Sequence, residues 1–199
     1  MKKIMMIAAF VVAALTANAQ REVGQFTIQP KAGFGLSTVT KIDDSKLTVA
    51  AMIGGEVEYQ IADIISVAGG LNFSLQGYDK KDEGPVTDWR HDLGYINIPI
   101  VCNVYFAKGW AVKAGLQPGF LVYSSRVYKS GGVKYEFDNK DGLNTFDLSI
   151  PIGVSYEFAK VPIVVDARYN FGVTKVMKDS DKSNRNSVFM VTCGYRFNL

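Results

Sequence analysis

From residue 24 to residue 199 apolar and polar side chains alternate with a period of two, in eight separate runs. In the first, Phe26, Ile28, Pro30, Ala32, Phe34 and Leu36 share one parity, and Thr27, Gln29, Lys31, Gly33 and Gly35 share the other. Successive side chains on a strand point to opposite faces, so each run predicts a strand with one oily and one polar side. The oily parity recurs in 47–59, 65–75, 96–106, 110–122, 146–158, 163–173 and 189–199. Long connections (39–46, 79–92, 124–144, 175–186) alternate with short ones (60–64, 107–109, 159–160). This pattern predicts an all-β fold, an eight-stranded antiparallel up-and-down transmembrane β-barrel of OmpA/OmpX-type size, with the four long connections extracellular and the short ones periplasmic.

Charge tests that reading, because charges played no part in choosing the parities. Nine charged residues fall within the runs, and all nine (Lys31, Glu56, Glu58, Lys113, Asp147, Glu157, Asp166, Arg168, Arg196) lie on the polar parity. A Lys or Arg facing lipid at the midplane costs about 2–4 kcal/mol, so a bilayer imposes this avoidance. A soluble lipocalin-like carrier of a hydrophobic ligand shows the same alternation with the oily face inward. Three features favour the membrane: the loop asymmetry, the small and amide-rich polar face, and the aromatics near strand ends. These are Phe26, Tyr59, Phe106, Trp110, Tyr156, Phe158 and Phe197 at the periplasmic side, with Phe73, Phe120, Phe146 and Phe189 toward the other. Eight strands leave room only for side chains, so the nine charges predict a paired lumen network, with Lys31 meeting Glu56 and Asp166 meeting Arg196. A proton or ion path is the functional alternative to a structural plug.

Lys2 and Lys3 precede an apolar stretch, 4–15, and Ala17-Asn18-Ala19 follows it. That is the layout of a cleaved signal peptide, 1–19, leaving an outer-membrane β-barrel domain of 20–199. The apolar core is too short for the roughly 20 residues of a spanning helix. Loss of the two lysines lowers the net charge from +3 to +1, and no basic cluster is interleaved with aromatics, so no nucleic-acid partner is expected.

Four segments carry a family likeness: 93–100 (LGYINIPI), 115–121 (GLQPGFL), 167–172 (ARYNFG) and 194–197 (GYRF). In order and spacing they resemble the PorT-like small outer-membrane β-barrel proteins of Bacteroidetes, over essentially the whole mature chain. The resemblance implies a small barrel, without an assigned activity in most members, whose namesake is associated with protein secretion across the outer membrane. It therefore admits a component of an outer-membrane secretion assembly. The C-terminal segment is similar to the assembly signal of such barrels, matching at Thr192, Gly194, Phe197 and Leu199, and implies the barrel assembly machinery as a partner beside outer-membrane lipids. It departs from that pattern in ending on Leu199 rather than an aromatic.

Catalytic chemistry is sparse. The one histidine, His91, stands in the second long connection beside Arg90 and Asp92, and the nearest nucleophile candidates, Ser124 and Ser125, lie in another connection. A triad needs a base bonded to both nucleophile and orienting group. His91 therefore reads as a solvated side chain, and a lipid-modifying hydrolase is the remaining enzymatic alternative. One histidine with Cys102 and Cys193 on separate strands supplies no metal set, and no cofactor is expected. The two cysteines, four strands apart, stand on opposite walls, beyond the roughly 7 Å reach of a disulfide. Gly54-Gly55, Gly69-Gly70 and Gly131-Gly132 lack the residues of a phosphate loop. The third long connection mixes Tyr128, Tyr135 and Phe137 with charges and is the candidate interaction surface for an envelope or extracellular protein, although the alternation of 133–137 also suits a hairpin rising above the membrane. The pattern thus favours a non-enzymatic barrel with a filled lumen that presents loops for interaction or supports envelope structure. Intact-mass measurement of the protein from outer membranes is expected to give a chain beginning at Gln20 with both thiols free; a retained leader or a Cys102–Cys193 crosslink would overturn the processing or the strand order.

Overall fold

The computed structural model describes residues 21–42, 44–80, 86–131, 133–138, 140–178 and 182–199, with side chains of the second long connection described from Trp89 onward. The expected leader lies outside the described residues. Twelve strands form: β1 (Phe26–Val39), β2 (Ser45–Lys46), β3 (Thr48–Ala62), β4 (Ile65–Lys80), β5 (Val86–Asn97), β6 (Ile100–Ala107), β7 (Trp110–Ser130), β8 (Val133–Phe137), β9 (Phe146–Glu157), β10 (Ile163–Gly172), β11 (Asn186–Tyr195) and β12 (Phe197–Asn198). All pair antiparallel in one sheet, ordered β11-β10-β9-β7-β5-β4-β3-β1, and β11 also pairs with β1, so the sheet returns on itself. β6 lies between β4 and β7 as β5 does.

Among the described residues twelve strands stand where eight runs were expected, and three of the four extra ones have a local cause. The fourth run breaks at Ile98-Pro99, because proline has no N–H for the ladder; Ile98 N donates to Pro118 O (2.8 Å) and Pro99 O accepts from Gly70 N (3.0 Å), bridging the gap. The last run breaks at Arg196, whose N–H donates to Pro162 O (2.7 Å). The third long connection is mostly strand: β7 runs to Ser130, the chain turns at Gly131 with φ +59°, and β8 returns along β7. The second is mostly strand as well, with β4 reaching Lys80 and β5 starting at Val86.

Burial is inverted relative to a soluble protein. On the oily parity Phe34 is 72% exposed, Ile53 64% and Leu71 61%; on the polar parity Asn103 is 0% exposed, Asp166 1% and Lys113 4%. The apolar-inside alternative is thereby removed, since only hydrocarbon makes this arrangement favourable. Aromatic pairs stand at both ends of the apolar belt: Phe26–Tyr59 (centroids 4.6 Å) and Trp110–Tyr156 (4.8 Å) at one, Phe120–Phe146 (5.8 Å) and Tyr169–Phe171 (4.3 Å) at the other. Cys102 and Cys193 are free and exposed on the outer wall.

Ile53 is an outward residue in the middle part of β3, 64% exposed. Ile53→Arg is expected to destabilise the folded protein by about 2–4 kcal/mol, read as a lowered urea midpoint in lipid vesicles. An unchanged midpoint would mean that this wall does not face lipid.

Candidate functional site

The interior is built in three tiers. At the periplasmic end Glu58 on β3 accepts from Arg196 Nη2 (2.9 Å), Ser66 Oγ (2.6 Å) and Tyr105 OH. Arg196 Nε stands 3.4 Å from Glu157, which also pairs with Arg21, and the Arg21 guanidinium lies 4.0 Å above the Tyr105 ring. The segment just before β1 is thus tucked into the mouth.

In the middle tier Glu56 is shared by Lys31 and Arg168 (Nη1–Oε1 3.0 Å). Arg168 grips Asp166 with Nη2 (2.9 Å) and Nε (3.3 Å), and Asp166 also takes Lys113 (2.9 Å). β1, β3, β7 and β10 each contribute, so the network ties opposite walls together. Asp166 does not meet Arg196 as expected: Asp166 is opposite Thr192, whereas Arg196 bonds to Pro162, four residues lower. At about 3.3 Å per residue that separates them by about 13 Å in depth. Above the network lies a cavity of about 30 Å³ lined by Lys31, Asn72, Asn97, Gln117, Arg168 and Asn170, among others. It has room for one or two waters, and Asn72 Oδ1, Asn170 Oδ1 and Thr192 Oγ1 offer acceptors not used by the protein. Asp147, at the extracellular end of β9, is held by Asn186 Nδ2 (3.0 Å) and Thr174 Oγ1 (3.3 Å).

The third tier was not legible in the alternation. Val39, Tyr78, Leu93, Tyr95, Leu121, Leu143 and Val176 form a buried apolar cluster that seals the extracellular end, with Trp89 packed against it. Leu93, Tyr95 and Leu121 occupy inward positions, which the polar parity had assigned to hydrophilic residues. The fourth connection is pinned over this plug by Asn184, whose Oδ1 accepts from Val176 N (3.2 Å) and Met177 N (2.9 Å).

His91 is fully buried rather than solvated, because β5 extends above the belt and turns it inward beside the plug. Its Nε2 lies 3.1 Å from Ser124 Oγ and its Nδ1 3.5 Å from Tyr78 OH. Burial and the facing Arg126 guanidinium push the imidazole down to about 4, so it is neutral at ordinary pH. The pair has a base and a hydroxyl, but its third member is a distant phenol. Asp92, the neighbouring carboxylate, is taken by Arg90 Nε (2.6 Å), and Ser124 is 3% exposed. This arrangement lines a plug and lacks the orienting carboxylate of a hydrolase.

Tyr128, Tyr135 and Phe137 come together on the arm made by β5, β7 and β8. Tyr128 stacks on Tyr135 (5.3 Å) and meets Phe137 edge-on (5.4 Å). Trp89, which the sequence reading passed over, completes the row: it lines a groove with Tyr128, Ser130 and Tyr135. Lys80 Nζ and Arg126 Cζ each stand 5.3 Å from its ring. On the arm's other face hydrogen bonds from Lys134 and Ser125 hold the Glu136 carboxyl below its ordinary range. In the C-terminal segment Thr192 faces inward and Gly194 pairs with Lys31, while Phe197 and Leu199 face outward. Among the described residues no group of His, Cys, Asp and Glu is composed to hold a metal.

A family model described as "Outer membrane protein beta-barrel domain" matches residues 18–178. No curated protein matches the chain. Among solved structures the chain is similar to Ail, the attachment invasion locus protein of Yersinia pestis, with a TM-score of 0.54 and 18% identity over 88% of this chain and 100% of that one. It is also similar to Neisserial surface protein A, with a TM-score of 0.52 and 14% identity over 86% of this chain and 97% of that one. At such identities the likeness concerns the fold alone.

Asp166→Ala strands Lys113 and part of Arg168 in the middle tier and is expected to cost about 3–5 kcal/mol, read by urea unfolding in vesicles. Glu136→Ala, on the exposed arm, is expected to stay within about 0.5 kcal/mol of the parent. Equal effects at the two positions would refute the sealed, ionically tied interior.

Proposed function

The chain belongs to the outer membrane protein beta-barrel domain family, and from that premise we propose that it is a non-enzymatic, eight-staved barrel with a sealed lumen and an extracellular arm that carries its interactions. The stave count takes β5 with β6, and β11 with β12, as single staves interrupted at Pro99 and Arg196, and treats β2 and β8 as additions above the ring. The observation that carries the proposal is the inverted burial combined with the three-tier filling: charge is paired at the bottom and middle, and hydrocarbon closes the top. Such an interior supports neither solute diffusion nor an ion path, and the buried His91–Ser124 pair offers no route for a lipid ester. The domain layout proposed is a cleaved leader, 1–19, ahead of the barrel, 20–199. Outer-membrane lipids around the wall, and the barrel assembly machinery reading the terminal Thr192, Gly194, Phe197 and Leu199, are the partners this layout calls for.

The likeness of 93–100, 115–121, 167–172 and 194–197 to PorT-like proteins favours a second reading, in which the arm docks onto a secretion assembly of the outer membrane.

Purified protein is expected to migrate faster unboiled than boiled on a denaturing gel and to give no steady conductance in planar bilayers. Stepwise conductance from the parent protein would overturn the sealed-lumen reading, and boiling-independent migration would overturn the closed barrel.

A further inference from the structure

The arm's inner face, which looks over the plug, gathers aromatic rings, hydroxyls and cations. Tyr128 pairs directly with Tyr135 across β7 and β8, and Trp89 approaches from β5, so three rings from three strands border one slot. We propose that this slot binds an acidic saccharide, a pyranose unit carrying a carboxylate or sulfate.

Three observations converge on that chemistry. First, the walls are rigid aromatic faces: Trp89 is braced against Tyr78 (5.5 Å) and His91 (6.2 Å), and Tyr128 is held by Tyr135 and Phe137. A pyranose presents C–H groups from its faces and hydroxyls around its edge, so it suits a slot with flat apolar walls and a polar rim. Second, the rim supplies hydroxyls from Tyr128, Tyr135 and Ser130, all donors and acceptors at once. Third, two cations stand beside the slot. Among the described residues Lys80 and Arg126 interact through their charged ends with the Trp89 ring, and Arg126 Nε is buried without a hydrogen-bond partner. Among the described residues the nearby carboxylates stand on the opposite parity: Asp79 lies across from Arg90 in the ladder, Asp92 is taken by Arg90, and Glu136 by Lys134 and Ser125. A ligand with a flat ring and a negative group matches what the slot offers, and guanidinium binds carboxylate or sulfate with charge-assisted hydrogen bonds.

This inference rests on the reading of the arm as the interaction surface and names its ligand. Trp89 and Trp110 are the two tryptophans, at opposite ends of the barrel. In a Trp110→Phe background the remaining fluorescence reports on the slot. The test titrates that protein, in detergent micelles, with polygalacturonate, dextran sulfate and neutral dextran. The expected result is a saturable change in Trp89 emission with the acidic polymers, weakened about tenfold or more by Tyr135→Ala or Arg126→Gln, and little response to neutral dextran. Heat-modifiable migration of each variant checks that the barrel is intact, and Tyr135→Phe, which keeps the ring, should retain most of the binding. No response to either acidic polymer, or a response that survives both weakening substitutions, would overturn the proposal. A photo-crosslinker at position 134 separates the two readings: capture of a cell-surface protein without any polymer response would discard the saccharide and keep the arm as a binding surface, whereas no capture and no response would discard both.

Discussion

A strand in hydrocarbon has only a neighbouring strand to receive its N–H and C=O groups, so the ladder joining β1 to β11 is the contact on which the rest of the molecule depends. With that ladder formed, the sheet has no edge inside the bilayer, and every side chain is committed either to lipid or to the lumen. The outer wall becomes a continuous apolar belt, and the inner wall must fill a narrow space with whatever the other parity supplies. The two chain ends reinforce the closure where it is most exposed, since β12 continues the pairing with β1 and Leu199 N donates to Phe26 O at 3.0 Å.

The choice of ions for that filling follows from the route the chain must take. An inward parity built from leucine and valine would turn each run of 10–15 residues into an apolar segment approaching the length that is held as a helix in the inner membrane. Alternation avoids that fate but leaves charges to be buried, and a buried ion is tolerable only when paired and hydrogen-bonded. The middle tier meets the condition by sharing: Glu56 serves Lys31 and Arg168, and Asp166 serves Arg168 and Lys113. Arg168 on β10 thereby reaches Glu56 on β3, and Asp166 on β10 reaches Lys113 on β7, so the network fixes the stagger of non-adjacent walls as well as neutralising charge. Near the extracellular end the chain can use hydrocarbon again, because a short inward group such as Leu93, Tyr95 and Leu121 does not make a long apolar run.

What was legible in the sequence is what lipid enforces. Parity could be read residue by residue because one face must avoid charge, and the positions of Lys31, Glu56, Asp166 and Arg168 on the inward side follow directly. Depth could not be read, because it depends on register between strands: Asp166 and Arg196 have suitable charges on adjacent runs, yet the pairing of Arg196 with Pro162 sets them in different tiers. The plug escaped notice for a related reason. Leu143 and Val176 come from connections whose packing against Tyr78 and Leu93 has no periodic signature, and the sequence around His91 does not mark its connection as strand above the membrane rather than loop. Trp89 escaped for the same reason, and with it one wall of the slot.

The contrast between lumen and arm bears most directly on function. Inside, Lys31, Lys113, Arg168 and Arg196 each face a carboxylate, as the cost of burying an unpaired ion requires. On the arm, water lowers that cost, and charges need no partner for stability; Arg90 and Lys134 nevertheless have one, on the outer face. Lys80 and Arg126, on the inner face, are gathered instead around a single indole ring. Two like charges converging on one ring repel each other, and each cation–π contact at such a site returns only about 0.5–1 kcal/mol. The arrangement is therefore poor as a device for holding the arm together. Because Trp89 is packed on the plug, a ligand in the groove would meet a surface already fixed by the closed barrel beneath it.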